Sequence, residues 1–131
     1  MIGELNEEEI EQMLHSQVVG RIGCYAEGRV YVVPITYAYD GQYVYGYTLE
    51  GQKIAMMRQN PTICFEIDQF ENMFNWKSVI MQGIFEELSG EDQSQAASVM
   101  KNRVMPFLQE EHQQVIYRIN LVSKSGRFEK K

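Results

Sequence analysis

The sequence predicts an α+β domain, mainly β, in which six antiparallel strands close on themselves as a small barrel with helices at its flanks. Three observations carry that prediction. Six runs along the chain read as strands, mostly hairpin-connected, the first three joined by the turn pairs Glu27-Gly28 and Asp40-Gly41. The period changes to that of a helix only near the N-terminus, after Gly51 and from about Gly90. At 131 residues with a hydrophobic fraction of 44%, the chain suffices for one core and not for two, so 1–131 reads as a single domain with its core at about 16–122.

The elements follow in order. Asn6 caps a first helix, Glu9 stands at its capping-box position, and Leu5 with Ile10 forms a hydrophobic staple; this helix runs to about His15. Val18–Ala26, Arg29–Tyr39 and Gln42–Thr48 then form an antiparallel meander. Ile54, Met57 and Arg58 recur at helical spacing until Asn60-Pro61, because the residue before proline disfavours α geometry. Thr62–Asp68 resumes the strand pattern, and after a polar, aromatic loop comes the long strand Trp76–Leu88, where Gly83 marks a bulge. A further helix starts near Gly90, with Ala96, Ala97, Met100, Val104, Phe107 and Leu108 as its buried stripe and Pro106 ending or kinking it. Gln114–Val122 is the last strand, and Ser123–Lys131 reads as a frayed basic tail.

Charge and motifs exclude several classes of function. Twelve Lys and Arg are scattered among eighteen Asp and Glu, a net charge of −6, whereas a nucleic-acid surface needs clustered cations. No run approaches the ~20 apolar residues that span a bilayer, and the acidic N-terminal segment has no apolar signal core, so the expected location is cytoplasmic and reducing. Cys24 and Cys64 form no CxxC and read as small packed groups. His15 and His112 have no paired acid, so no metal site is expected. The dinucleotide fingerprint, the P-loop, HExxH and GxSxG are all absent.

Three stretches carry candidate chemistry. In "YGYTLEGQKIAMMRQNP" a strand turns at Thr48–Lys53 into a helix, whose first amides have no intrahelical acceptor and so suit an anion. Thr48 adds a hydroxyl, Lys53 a charge, and Gly51 room for a phosphate; Glu50 repels one unless its side chain points away. The alternative is a plain turn with a solvated Lys53. In "VYVVPITYAY" Pro34 has no amide to give to a ladder, so it marks an edge or a bulge whose free backbone groups suit a planar heteroaromatic ligand. Around it stand Tyr31, Tyr37, Tyr39, Tyr43, Tyr45 and Tyr47, as ligand platform or as packing. In "NWKSV" Trp76, the only tryptophan, precedes Lys77 and Ser78 at the mouth of a strand, where the alternative is an interface anchor.

Taken in order, "VGRIGCYAEGRVYVVPITYAYDGQYVYGYTLEGQKIAMMRQNPTICFEID" and "NWKSVIMQGIFEEL" resemble the pyridoxamine-phosphate-oxidase-like family of split-barrel flavoproteins, nearest the branch that includes the nitroimidazole-resistance proteins. The resemblance covers roughly residues 16 to 120. It implies a six-stranded split barrel, a homodimer with two equivalent clefts between subunits, and FMN as cofactor of an oxidoreductase acting on a small molecule. By position it implies that Thr48 and Lys53 hold the phosphate, that Pro34, Ile35, Thr36 and Tyr37 line the isoalloxazine through backbone and side chain, and that Lys77 and Ser78 complete the phosphate or ribityl contacts. Trp76 then reaches the flavin of the other subunit. Relatives in that branch often carry His where this chain has Tyr47, a position at the flavin, so a catalytic role tied to that His is not carried over. The Arg-x-His segment that vitamin-B6 oxidation needs is also absent. The rival expectation is a binding module without catalysis that sequesters flavin, F420 or haem.

Overall fold

The computed structural model describes residues 1–101 and 114–131. A short strand, β1 (Ile2–Glu4), precedes the first helix, α1 (Glu7–Ser16). The Asn6 side chain accepts the Glu9 amide at 2.8 Å while the Glu9 carboxylate accepts the Asn6 amide at 3.0 Å, the capping box that these residues predict. Ile10, Met13 and Leu14 on α1 are buried, as is Leu5 before it.

β2 (Val19–Ala26) and β3 (Arg29–Thr36) form a hairpin whose turn residues Glu27 and Gly28 both have positive φ, 52° and 77°, as a twist-matched two-residue turn requires. The expected continuous strand Arg29–Tyr39 is instead two strands, β3 and β4 (Ala38–Tyr39), parted at Tyr37. Tyr37 points wholly into the core, its hydroxyl donates to the Leu14 carbonyl at 2.8 Å, and its amide donates to the Val18 carbonyl. There follow β5 (Tyr43–Leu49), α2 (Gln52–Gln59), β6 (Thr62–Asn72), β7 (Asn75–Glu87), α3 (Gly90–Met100) and β8 (Gln114–Glu129).

The strands pair in the order β3-β2-β6-β7-β8-β5-β4, all antiparallel, with β1 against the far end of β8. β3 and β4 are the two ends of that path, yet a single residue joins them. Two residues of extended chain span at most ~7 Å. The ends of the sheet therefore meet at Tyr37, and the sheet closes into a barrel that is split along the rest of its seam. Eight strands stand where six were expected, the additions being β1 and β4, within the predicted class.

The segment expected to fray is part of the sheet: β8 continues to Glu129, lying between β7 and β1. Its inward positions explain this. A Cβ on Gly126 would sit 2.8 Å from Leu5, so glycine there lets the helix entry pack down, while Phe128 covers Gly3. The polar residues that suggested a tail, Ser123, Lys124, Ser125 and Arg127, are exposed. The register of β7 against β8 shifts at Gln82/Gly83, where a bulge was expected; the extra residue, Val122, belongs to β8.

One core fills the barrel, with Ile22, Phe65, Ile67, Val79, Met81 and Tyr117 packed against Leu14 of α1 and Ile54 and Met57 of α2. A second lies under α3, where Ala96 and Met100 meet Tyr45, Leu88 and Ile116. Val104, Pro106, Phe107, Leu108 and His112 lie outside the described residues. Among the described residues no helix is long and apolar enough to cross a membrane, and no group of His, Cys, Asp and Glu is arranged to hold a metal. Cys24 is a buried free thiol and Cys64 a partly exposed one.

Candidate functional site

The strand-to-helix turn is built as the sequence suggests. β5 delivers Tyr47 and Thr48 half-buried, the chain leaves the sheet at Leu49, and Gly51 is the N-cap of α2 without a side-chain cap bond. Gly51 has φ −176°, an extended backbone that any residue adopts, and a Cβ placed on it would meet nothing within 4 Å. Neither conformation nor packing inside the chain demands glycine here; the space over the turn is open. Ala55 makes the first bond of the helix, to the Gly51 carbonyl at 3.1 Å, so the amides of Gln52, Lys53 and Ile54 precede any intrahelical acceptor.

Lys53 is half-buried at this helix start, and among the described residues no carboxylate pairs with it. Burial lowers its pKa, opposed only by the nearby Cys24. Glu50, the acid within the turn, is held by Arg58, whose guanidinium donates to both of its carboxylate oxygens at 2.8 and 2.7 Å.

β3 is an edge strand, as Pro34 predicts. Val30, Val32, Pro34 and Thr36 face outward, while Ile35 and Tyr37 are buried. The side chains of Ile35 and Tyr37 belong to the core, which leaves those two only their backbone for a ligand, and Pro34 and Thr36 are the residues of the quartet that present side chains to solvent. Lys53 lies beside Cys24 of β2, whose cross-strand partner on β3 is Tyr31. Pro34 is three residues farther along that edge, about 10 Å at ~3.3 Å per residue. A cation and helix amides at one end and a free strand edge at the other suit a ligand with a phosphate at one end and a flat ring at the other.

Trp76, Lys77 and Ser78 lie elsewhere. Thr48 pairs with Val115 on β8 and Ser78 with Arg127 of the same strand, on the order of 40 Å apart in contour at ~3.3 Å per residue. Within one chain the structure does not bring this segment to the Thr48–Lys53 turn. The Trp76 indole N–H donates to Glu129 at 3.1 Å. An open cavity of about 330 Å³ beside Trp76, Lys77 and Ser78 is also lined by Phe70, Glu66 and Asp68.

Those two carboxylates were not singled out in the sequence, although Glu66 and Asp68, two apart on a strand, share a face by the period of two. Arg21 on β2 bonds to both, at 3.2 and 2.9 Å. Burial, and then the neighbouring Asp68, push the Glu66 carboxyl up to about 7, against the pull of Arg21. The triad lies on the outer face of β3, β2, β6 and β7, surrounded by Val19, Tyr25, Val30, Val32 and Ile80, all exposed.

Comparison with known proteins agrees with this architecture. The chain superposes over its full length on 98% of a FAD-binding protein from Mesorhizobium loti, with TM-score 0.84 and 31% identity. It superposes over 98% of its length on 87% of a candidate 5-nitroimidazole antibiotic resistance protein from Bacteroides thetaiotaomicron, with TM-score 0.81 and 17% identity, a likeness of fold. An uncharacterised protein of Rhizobium meliloti (strain 1021) is 36% identical over 84 residues, 64% of this chain and 56% of that protein, so the match spans little more than half of that relative. The family model for pyridoxamine 5'-phosphate oxidase matches residues 6–128. With that match over nearly the whole chain and a fold shared along its full length, the chain belongs to the pyridoxamine 5'-phosphate oxidase family.

Proposed function

We propose that the protein is a cytoplasmic flavoprotein that binds FMN and acts as an oxidoreductase on a small molecule, working as a two-fold homodimer with a cofactor cleft on each side of the subunit interface. The observation that carries this reading is Lys53: a half-buried cation at the start of a helix, two residues after the uncrowded Gly51, with no carboxylate partner among the described residues. An unpaired, partly desolvated charge is costly, and a phosphate is the partner that completes it.

In this reading Thr48, Lys53 and the first amides of α2 hold the phosphate, and Pro34 and Thr36 line the ring from the β3 edge. Ile35 and Tyr37 fix that edge from the core side, and Tyr47 borders the turn. Trp76, Lys77 and Ser78 reach the cleft from the second subunit. When bound, the flavin supplies the redox chemistry; the chain orients it and sets the charge around it. The Mesorhizobium loti relative is FAD-binding, and both flavins share the ring, the ribityl chain and the first phosphate that these residues would grip. FMN is our reading for this chain.

Dimerisation draws support from the outer sheet face, where Val30 is 76% and Val32 64% exposed, among Val19, Tyr25 and Ile80. Exposed apolar residues gathered around the Arg21–Glu66–Asp68 triad, beside an edge strand, make a surface to be covered.

The test is the visible spectrum of the purified protein, chromatography of any flavin it releases, and titration with FMN and FAD. Submicromolar FMN binding supports the reading, and a colourless protein indifferent to both flavins overturns it. Lys53→Ala should weaken FMN binding about 10- to 100-fold, the loss of one charge-assisted contact; unchanged affinity removes Lys53 from the site. Bleaching of bound flavin by NAD(P)H separates the oxidoreductase from a module that merely sequesters flavin, F420 or haem.

A further inference from the structure

Glu50 brings a carboxylate into the turn three residues before Lys53, where it opposes any incoming anion. The structure shows what has become of that charge. The Arg58 fork closes on both oxygens of Glu50, at 2.8 and 2.7 Å, and the same guanidinium donates from Nε and Nη2 to both oxygens of Glu87, at 2.8 and 3.0 Å. Glu87 is the last residue of β7, and Arg58 stands in the last turn of α2, roughly 9 Å of helix rise beyond Gln52. The clamp therefore fastens Glu50 to the flank of the helix and to the sheet. The Glu50 carboxyl is held below its ordinary range by Arg58.

All three side chains are exposed, and exposed ion pairs contribute little to folding. Four hydrogen bonds from one guanidinium make better sense as geometry than as stability. We propose that Arg58 is a positioning residue for anion recognition: by binding Glu50 against Glu87 it withdraws the turn's carboxylate from Lys53 and Thr48, and so sets the preference of this turn for a phosphorylated flavin over an unphosphorylated one. The proposal rests on the flavin reading above. It concerns charge, so it acts on the phosphate and leaves the ring and ribityl contacts alone.

The experiment measures dissociation constants for FMN and for riboflavin, which has the same ring and side chain but no phosphate, at fixed ionic strength. Arg58→Gln should weaken FMN about tenfold, as one uncompensated charge near a dianion implies, with riboflavin changed by less than about twofold. Arg58→Gln combined with Glu50→Gln should regain most of the FMN affinity although the clamp is gone. Glu50→Gln alone, which needs no new fold contact, should tighten FMN relative to riboflavin. Arg58→Gln that binds FMN as the wild type does overturns the proposal. So do equal losses for the two ligands without rescue by Glu50→Gln, which would make Arg58 a strut of the turn. A wild-type protein that binds riboflavin and FMN equally overturns it too, whereas one that binds neither flavin brings down the parent reading with it.

Discussion

Lys53 has no carboxylate partner and the Tyr117 hydroxyl no hydrogen bond among the described residues, and the two call for opposite experiments. Lys53 is half-buried, not sealed off, and Gly51 at the start of its helix is uncrowded, so a partner can arrive from outside. Replacing it by Met, which keeps the stem and drops the charge, should raise the unfolding midpoint of the apoprotein while FMN binding is lost; a fall in both would mean that Lys53 is a structural residue. Tyr117 is completely buried, its hydroxyl finds no hydrogen bond among the described residues, and it rests against Gly46, where a Cβ would collide with the ring. Burial pushes its pKa up, so it stays neutral at all ordinary pH. Nothing reaches it from solvent, and Tyr117→Phe should be neutral or stabilising by up to about 1 kcal/mol, because it removes a desolvated donor that gained nothing on folding. Urea denaturation decides this, and destabilisation by more than about 1 kcal/mol would point to a buried water on the hydroxyl.

On the scale of the elements, the outer sheet face carries an acid, Glu66, whose carboxyl is pushed up to about 7. Glu66 faces Arg21 from β2 and Asp68 from its own strand, and its neighbours in the same row on β3 and β7 are Pro34 and Ile80, which carry no charge. Its carboxyl lies near 7 in the fold against an ordinary 4.5, so the folded protein keeps a proton that the unfolded chain has lost. The stability this group contributes is complete below about pH 4.5 and falls away as pH rises through about 7. The wild type should therefore lose more stability between pH 5.5 and pH 8 than Glu66→Gln does; parallel pH profiles would refute the assignment. None of this was legible in the sequence, because it depends on which strand lies beside β6. What was legible is what local chemistry decides: the Asn6 cap, the Glu27-Gly28 turn, the edge position of Pro34, the helix stop at Asn60-Pro61. The break at Tyr37 and the extension of β8 through Ser123–Glu129 were hidden because each is imposed by tertiary packing, Tyr37 against Leu14 and Gly126 beneath Leu5. The Arg58 clamp was hidden for the same reason, since Glu87 comes from a strand 29 residues away.

At the scale of the whole molecule, the two halves of the proposed cleft lie well apart along the sheet. The Thr48–Lys53 turn and the β3 edge lie at one part of the barrel, and the Trp76–Ser78 segment is set apart from the turn by most of the length of β8. In the dimer we propose, a two-fold axis would bring these pieces together, each chain offering its turn to the other's β7 end. The exposed valines of β3 lie on the outer face that β3 shares with β2, β6 and β7, and in that dimer the face that buries this apolar area would also assemble the site. Val32→Asp places a charge at the middle of that face, where Val32 is 64% exposed and paired across the hairpin with Gly23, so the fold itself tolerates it. The wild type should scatter light as a dimer at micromolar concentration, and Val32→Asp as a folded monomer with FMN affinity reduced by about tenfold or more, since half of each cleft would be gone. Folded monomers that bind FMN as tightly as the wild type would show that one chain holds the flavin alone, and Trp76, Lys77 and Ser78 would then have to be removed from the site.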